Sequence, residues 1–123
     1  MSTVANKVQV INDQSVSIET KFNTIAEEGT IKESLLTFPN GYKVSVLQSI
    51  ESTSGNRTNG IYSCIGEDSL ELAILDPEGE IVYDSGITYT DIYGDEVGID
   101  GDVCGYITKD AAKQIIRRVL CMA

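Results

Sequence analysis

The sequence predicts an α+β fold: an antiparallel β-sheet of about five or more strands, with an N-terminal helix and a C-terminal helix packed on it. Three observations lead there. An apolar period near 3.6 occurs close to the N-terminus, short alternating segments follow between Pro, Asn, Asp and Gly turns, and the chain ends in the amphipathic stretch "ITKDAAKQIIRRVL". At 123 residues the chain suits one domain. It divides into an N-terminal helical arm (1–30), an antiparallel sheet with a long acidic loop (31–106) and a C-terminal helix (107–121).

The first fifteen residues are mostly polar, with a short alternating piece, "KVQVI", that fits an edge strand or an oligomer contact. From Ser17 to Glu28, Ile18, Phe22, Ile25 and Ala26 fall at i, i+4, i+7 and i+8, and Gly29 would stop a helix. Val16, Ile18 and Phe22 also fit a period of two if Thr20 faces inward, but helix is the preferred assignment. "SLLTF" then leads through Pro39-Asn40-Gly41 into "YKVSVLQSI", a hairpin with Val44, Val46 and Ile50 on one side. A polar loop at 51–60 carries one cation, Arg57. "GIYSCI", "LELAIL" and "IVYD" read as three further strands, the last two joined at Asp76-Pro77-Glu78-Gly79. Residues 85–106 hold five glycines, five acidic residues and three tyrosines without a period, which predicts a long structured loop. Thr108 caps the last helix, Asp110 sits in its first turn, and Ala112, Ile115, Ile116, Val119 and Leu120 make its apolar face.

A net charge of −10 argues against general affinity for a nucleic-acid duplex or an anionic membrane, since each phosphate contact needs a local cation. The same acidity also serves solubility. With 41% hydrophobic residues and two prolines the chain should fold. Cys64, Cys104 and Cys121 form no C-x-x-C pair, and an odd count cannot close an intrachain disulfide framework, so they read as thiols in a reducing cytosol. No signal peptide or membrane-spanning run is expected. The segment "DIYGDEVGIDGD" fails the EF-hand template, and a chain without histidine offers neither a zinc set nor a Ser-His or Cys-His pair. No metal, no cofactor and no catalysis are therefore expected.

The distribution of positive charge is more informative. From Thr58 to Thr108 there are twelve Asp and Glu and no Lys or Arg, whereas residues 107–120 hold four of the nine basic residues. At about 100° per residue, Lys109, Lys113 and Arg117 form a ridge bordering the apolar face, and Arg118 projects from the opposite flank. Two readings compete. The cations either complement the helix dipole and pair with the protein's own carboxylates, each exposed pair contributing roughly 0 to 1 kcal/mol, or hold a phosphate beside a stacking tyrosine.

The run Phe38-Pro39-Asn40-Gly41-Tyr42-Lys43-Val44-Ser45-Val46, then Leu70-Glu71-Leu72-Ala73-Ile74-Leu75, Tyr83-Asp84 with Ile87-Thr88, and Gly105-Tyr106-Ile107-Thr108 is similar to small phage-encoded proteins. More narrowly the chain resembles the first class of phage anti-Thoeris proteins, "sponges" for the cyclic ADP-ribose signal of bacterial TIR enzymes, over residues 35–120. The resemblance implies a homo-oligomer in the host cytoplasm that binds a small cyclic nucleotide without hydrolysing it, in recesses between one subunit's sheet and a neighbour's C-terminal helix. Some members also take cyclic oligonucleotides at a separate site. On this basis Arg117, with Lys113 one turn earlier, fits the helix cations and Tyr83 or Tyr89 the stacking aromatic, and Asp91 and Arg118 are further candidate ligand-binding residues. Asn56, Arg57 and Thr58 are candidates for a second nucleotide site. Two other classes remain open: an acidic interaction protein that mimics DNA, and a small virion or scaffold component.

Overall fold

The computed structural model describes residues 3–25, 29–52, 69–100 and 103–122. Eight strands are present: β1 (Thr3–Ile11), β2 (Gln14–Ile25), β3 (Gly29–Thr37), β4 (Lys43–Ser52), β5 (Leu70–Leu75), β6 (Asp84–Thr90), β7 (Glu96–Asp100) and β8 (Cys104–Ile107). One helix, α1 (Lys109–Leu120), follows them. Six strands form an antiparallel sheet in the order β1-β2-β3-β4-β5-β8, and β6 and β7 form a separate two-stranded ribbon.

The expected N-terminal helical arm is a β-hairpin. Val16 and Ile18 are buried while Ser17 and Glu19 are exposed, so the strand period governs burial and the helical spacing of Ile18 and Phe22 is coincidental. Phe22 remains 38% exposed. Thr20 points to the same side as Ile18, its hydroxyl 3.5 Å from that of Ser34 on β3. The turn between β1 and β2 is Asn12-Asp13, both residues at positive φ (49° and 62°), the geometry that a two-residue hairpin requires and that Asn and Asp tolerate. "KVQVI" accordingly lies in the outer strand of the sheet.

Three further expectations change. Residues 85–106 contain most of β6, all of β7 and three of the four residues of β8 rather than one long loop; left-handed Gly86 and Gly94 and irregular register interrupt the alternation that would have marked them. "IVYD" contributes a single bridge from Ile81 to Leu75, and regular pairing begins only at Asp84. Between Thr30/Glu51 and Ile31/Ser49 the β3–β4 register slips by one residue, so Ser49 is buried and Ile50 is 40% exposed instead of joining Val44 and Val46. "GIYSCI" and the polar loop around Arg57 lie outside the described residues.

The C-terminal helix forms as expected. Thr108 accepts a hydrogen bond from the Ala111 amide at 3.1 Å, and Ala111, Ala112, Ile115, Val119 and Leu120 are buried. They join Val16, Ile18, Leu36, Phe38, Val44, Leu72 and Ile74 of the sheet in one core, to which Ile87 and Ile99 of the ribbon also belong. Two polar contacts fix the helix on this surface. From the β3–β4 turn, Asn40 Nδ2 donates to the carbonyls of Val119 (2.8 Å) and Met122 (3.0 Å), tying the turn to the end of the helix. On the ribbon side, the Thr90 amide donates to Gln114 Oε1 at 2.8 Å, and Gln114 Nε2 donates back to the Thr90 carbonyl at 3.0 Å. Gly41 sets how closely that first turn approaches its neighbour: at φ 91°, a Cβ there would lie 3.2 Å from Pro77 Cγ. The helix is thereby held between the outer strands and the ribbon, and the two flanking spaces are the candidate site.

Candidate ligand-binding site

The helix is broad enough to bury Ile115 and Val119 completely but leaves Lys113, Arg117 and Arg118 exposed on its flanks. On the outer-strand side a cleft of about 380 Å³ lies between α1 and the sheet, lined by Gln9 and Ile11 of β1, Ile18 of β2, Leu36 of β3, and Lys113, Ile116 and Arg117 of the helix. Toward the ribbon and the β1–β2 turn a larger cavity of about 590 Å³ is lined by Asn12, Gly86, Ile87, Gln114, Arg117, Arg118 and Cys121. Arg117 belongs to both. One side chain is thus a common wall of the two spaces.

No carboxylate lines either space among the described residues. Nor, among those residues, does Lys113, Arg117 or Arg118 make an ion pair; the ion pair between described side chains is Lys21–Glu33, 3.2 Å, on the opposite face of the sheet. Among the described residues, then, no carboxylate pairs with these three cations. Arg117 and Arg118 do occupy the last helical turn, where the negative end of the dipole favours them. Two guanidinium forks at that end present donors suited to phosphate or carboxylate oxygens.

The expected aromatic partners are elsewhere. Tyr89 lines a small recess of about 150 Å³ with Asp91, Ile92, Tyr106, Ile107, Thr108 and Ala111, at the N-terminal end of α1. Ala111 and Arg117 are six residues apart, roughly 9 Å along the helix axis. Tyr83 is 62% exposed and lines none of these spaces. Asp91 serves a turn: its Oδ1 accepts from the amides of Tyr93 (2.9 Å) and Asp95 (3.0 Å), as Asp76 Oδ1 accepts from Glu78 and Glu80, both 2.9 Å. Glu96, from the same acidic segment, accepts from Thr88 Oγ1 at 2.6 Å across the ribbon. Arg117 thus shares the cleft with Lys113 and the larger cavity with Arg118, Lys113 and Arg118 line no common space, and Tyr83, Tyr89 and Asp91 line neither. Asn56, Arg57 and Thr58 lie outside the described residues.

Sequence reasoning missed Gln9, Ile11, Asn12, Gln114 and Cys121. The Asn12-Asp13 pair was the available signal, because a hairpin there places β1 beside β2 and so brings Gln9 and Ile11 to the helix side of the sheet. Two groups near the other end of the helix have shifted titration. Burial, followed by the adjacent Cys104 and then Asp91, raises the Tyr89 phenol above its ordinary value of 10.0. Burial raises the Cys104 thiol above 9.0, opposed by the hydrogen bond with Tyr89. In both cases the folded state retains a proton that the unfolded chain releases, so their stabilising contribution is complete below pH 9, declines above it and is lost once the raised folded values are passed. Urea unfolding midpoints measured from pH 8 to 11 should fall with rising pH, and Cys104→Ser with Tyr89→Phe should flatten that fall.

No group of three or more Cys, Asp or Glu among the described residues is placed to hold a metal ion, and no helix among them is long and apolar enough to cross a membrane. No protein-family model, curated protein or solved structure matches the chain.

Proposed function

We propose that this chain is a phage-encoded protein that binds and sequesters a small cyclic nucleotide signal, a cyclic ADP-ribose isomer, without cleaving it, and so blocks bacterial TIR-based defence in the host cytoplasm. The observation that carries the reading is Arg117 standing between two adjoining cavities, flanked by Lys113 and Arg118, with no carboxylate among the described lining residues. In a chain of net charge −10, three cations unpaired among the described residues form a local exception to the surrounding field. Distant carboxylates are screened beyond about 8 to 10 Å at physiological salt, so the local cations decide the potential at the cavity. A compact phosphate ester fits such a place; a duplex would meet the acidic surface around it. Sequestration requires affinity and stoichiometry, which cations, amides and aliphatic walls provide.

Cys121 supplies the test, because this exposed thiol lines the larger cavity with both arginines. Saturating cyclic ADP-ribose should slow iodoacetamide alkylation of the Cys121 peptide by about tenfold or more, as expected when a bound molecule limits access to an otherwise exposed thiol. An unchanged rate with cyclic ADP-ribose and its linkage isomers would count against the proposal.

The assembly proposed with this function is a homo-oligomer built through β1. This nine-residue strand is at the sheet's edge, and its Val8 and Val10 side chains are 69% and 67% exposed. An edge of that length with apolar side chains is a template for pairing with a second copy. Lysine at positions 8 and 10 should lower the mass measured by light scattering while leaving the circular dichroism spectrum unchanged; an identical mass would exclude this edge.

A further inference from the structure

We infer that the tip of the β6–β7 ribbon is a docking surface for a basic segment of another protein, which seats one apolar side chain in the recess beside Tyr89 and Tyr106 and sets lysine or arginine against the carboxylates around it. The inference is independent of the proposed function, because the recess lies at the N-terminal end of α1 and the arginines lie in its last turn. Its ground is an apolar patch that the fold leaves open. Tyr93 and Ile92 are 82% and 75% exposed, the highest values for large hydrophobic side chains among the described residues. Ile92 also lines the recess with Tyr89 and the half-exposed Tyr106, so exposed groups of the tip and of β8 converge on one place. Single exposed apolar residues are ordinary, whereas adjoining ones that rim a recess mark an interaction site.

The backbone holds these side chains out. Beneath Ile92 and Tyr93 the Asp91 amide donates to the Asp95 carbonyl (2.9 Å) and the Gly94 amide to the Asp91 carbonyl (3.1 Å), besides the two amides that donate to Asp91 Oδ1. The turn is therefore formed before any partner arrives, which lowers the ordering cost of binding. Between the pairs Leu70/Ile107 and Leu72/Cys104, one residue of β5 faces two of β8, a bulge in which Tyr106 stands at φ 55°. A left-handed backbone suits glycine, and Gly105 is next in the chain, yet the tyrosine takes that position and is turned outward.

Size and charge select the occupant. At about 150 Å³ the recess is half of the roughly 300 Å³ at which ordinary ligand pockets begin, a space for a single side chain. Asp91 lines it, Asp95 and Glu96 are exposed on the turn and at the start of β7, and no Lys or Arg occurs from Thr58 to Thr108. Lys109 at the start of α1 is the nearest cation in sequence, and Asp110 follows it. Such a field repels nucleic acid, anionic lipid and a second copy of net charge −10, and attracts a segment that carries lysine or arginine. The tyrosine faces add cation–π contacts to those side chains, and tyrosine is enriched where proteins meet.

The experiment titrates the intact protein, at physiological salt, with two capped peptides of equal charge, Lys-Lys-Leu-Lys-Lys and Lys-Lys-Ser-Lys-Lys, followed by nuclear magnetic resonance. The leucine peptide should bind at least about fivefold more tightly than the serine peptide and shift the signals of Ile92, Tyr106 and Ala111. Ile92→Ser, and Tyr106→Gly, which keeps the left-handed backbone, should each reduce that preference to less than about twofold while leaving the circular dichroism spectrum unchanged. Equal binding of the two peptides, binding of neither, or shifts confined to other faces would overturn the inference and leave the proposed site at Arg117 untouched. If Ile92→Ser lowered the mass measured by light scattering and neither peptide were preferred, the occupant would be a second copy, and the inference would fall likewise.

Discussion

Replacing Arg117 by alanine is expected to weaken cyclic ADP-ribose binding by roughly 100-fold or more, because one residue supplies the common wall of both cavities. A hydrogen bond to a charged group contributes about 1.5 to 3 kcal/mol, and a bidentate fork makes two of them. Arg118 lines only the larger cavity, so Arg118→Ala should cost less. Arg117→Lys should fall between wild type and Arg117→Ala, retaining charge but losing the planar fork. The fold should not respond: Arg117 is exposed and makes no ion pair among the described residues, and surface changes of this kind usually alter stability by within about 0.5 kcal/mol. Calorimetry on Arg117→Ala, with its thermal midpoint measured in parallel, separates the two effects. Unchanged affinity would remove Arg117 from the site.

Ile115→Ala should produce the largest stability loss, about 2 to 5 kcal/mol from urea unfolding. Ile115 is completely buried where the helix meets the sheet, so truncation removes apolar contact and leaves a space that the strands, held by their ladders, cannot close. Its neighbour Ile116 provides the control. Ile116 is only partly buried and forms a wall of the cleft, so Ile116→Ala should cost less stability. A loss below about 1 kcal/mol for Ile115→Ala would mean that the helix does not rest on the sheet as described.

These two neighbouring isoleucines also show what could be read from the sequence. Periodicity placed the C-terminal helix correctly, together with its Thr108 cap and its cationic ridge, because a helix records its buried face within a few turns. The same reasoning failed for residues 17–25. Ile18 and Phe22 satisfy both periods, and only the pairing of β2 with β1 and β3 shows that Ile18 is core and Phe22 is not. Asn12-Asp13 was the local signal that would have decided the matter. In residues 85–106 the turn at Asp91 repeats that at Asp76, with an aspartate accepting two amides and a glycine three residues on, but irregular pairing obscured the flanking strands.

The candidate site was legible only in its helical part. Lys113, Arg117 and Arg118 are four and one residues apart, so local geometry suffices to group them. Gln9 and Ile11 reach the same cleft across about a hundred residues of chain, through the register of β1 on β2 and the seating of α1 against β4, β5 and β6, which no local pattern encodes. Tyr89 illustrates the converse. It precedes the helix closely in sequence, yet lies at its N-terminal end, away from the arginines in its last turn.

Whether the protein holds an intact nucleotide at Arg117 is decided by mass spectrometry of small molecules released by heating the purified protein after incubation with cyclic ADP-ribose isomers and removal of unbound ligand. A chemically unaltered cyclic isomer should be recovered from the parent protein and almost none from Arg117→Ala. Recovery of linear ADP-ribose, or of no nucleotide from the parent protein, would contradict the proposed function.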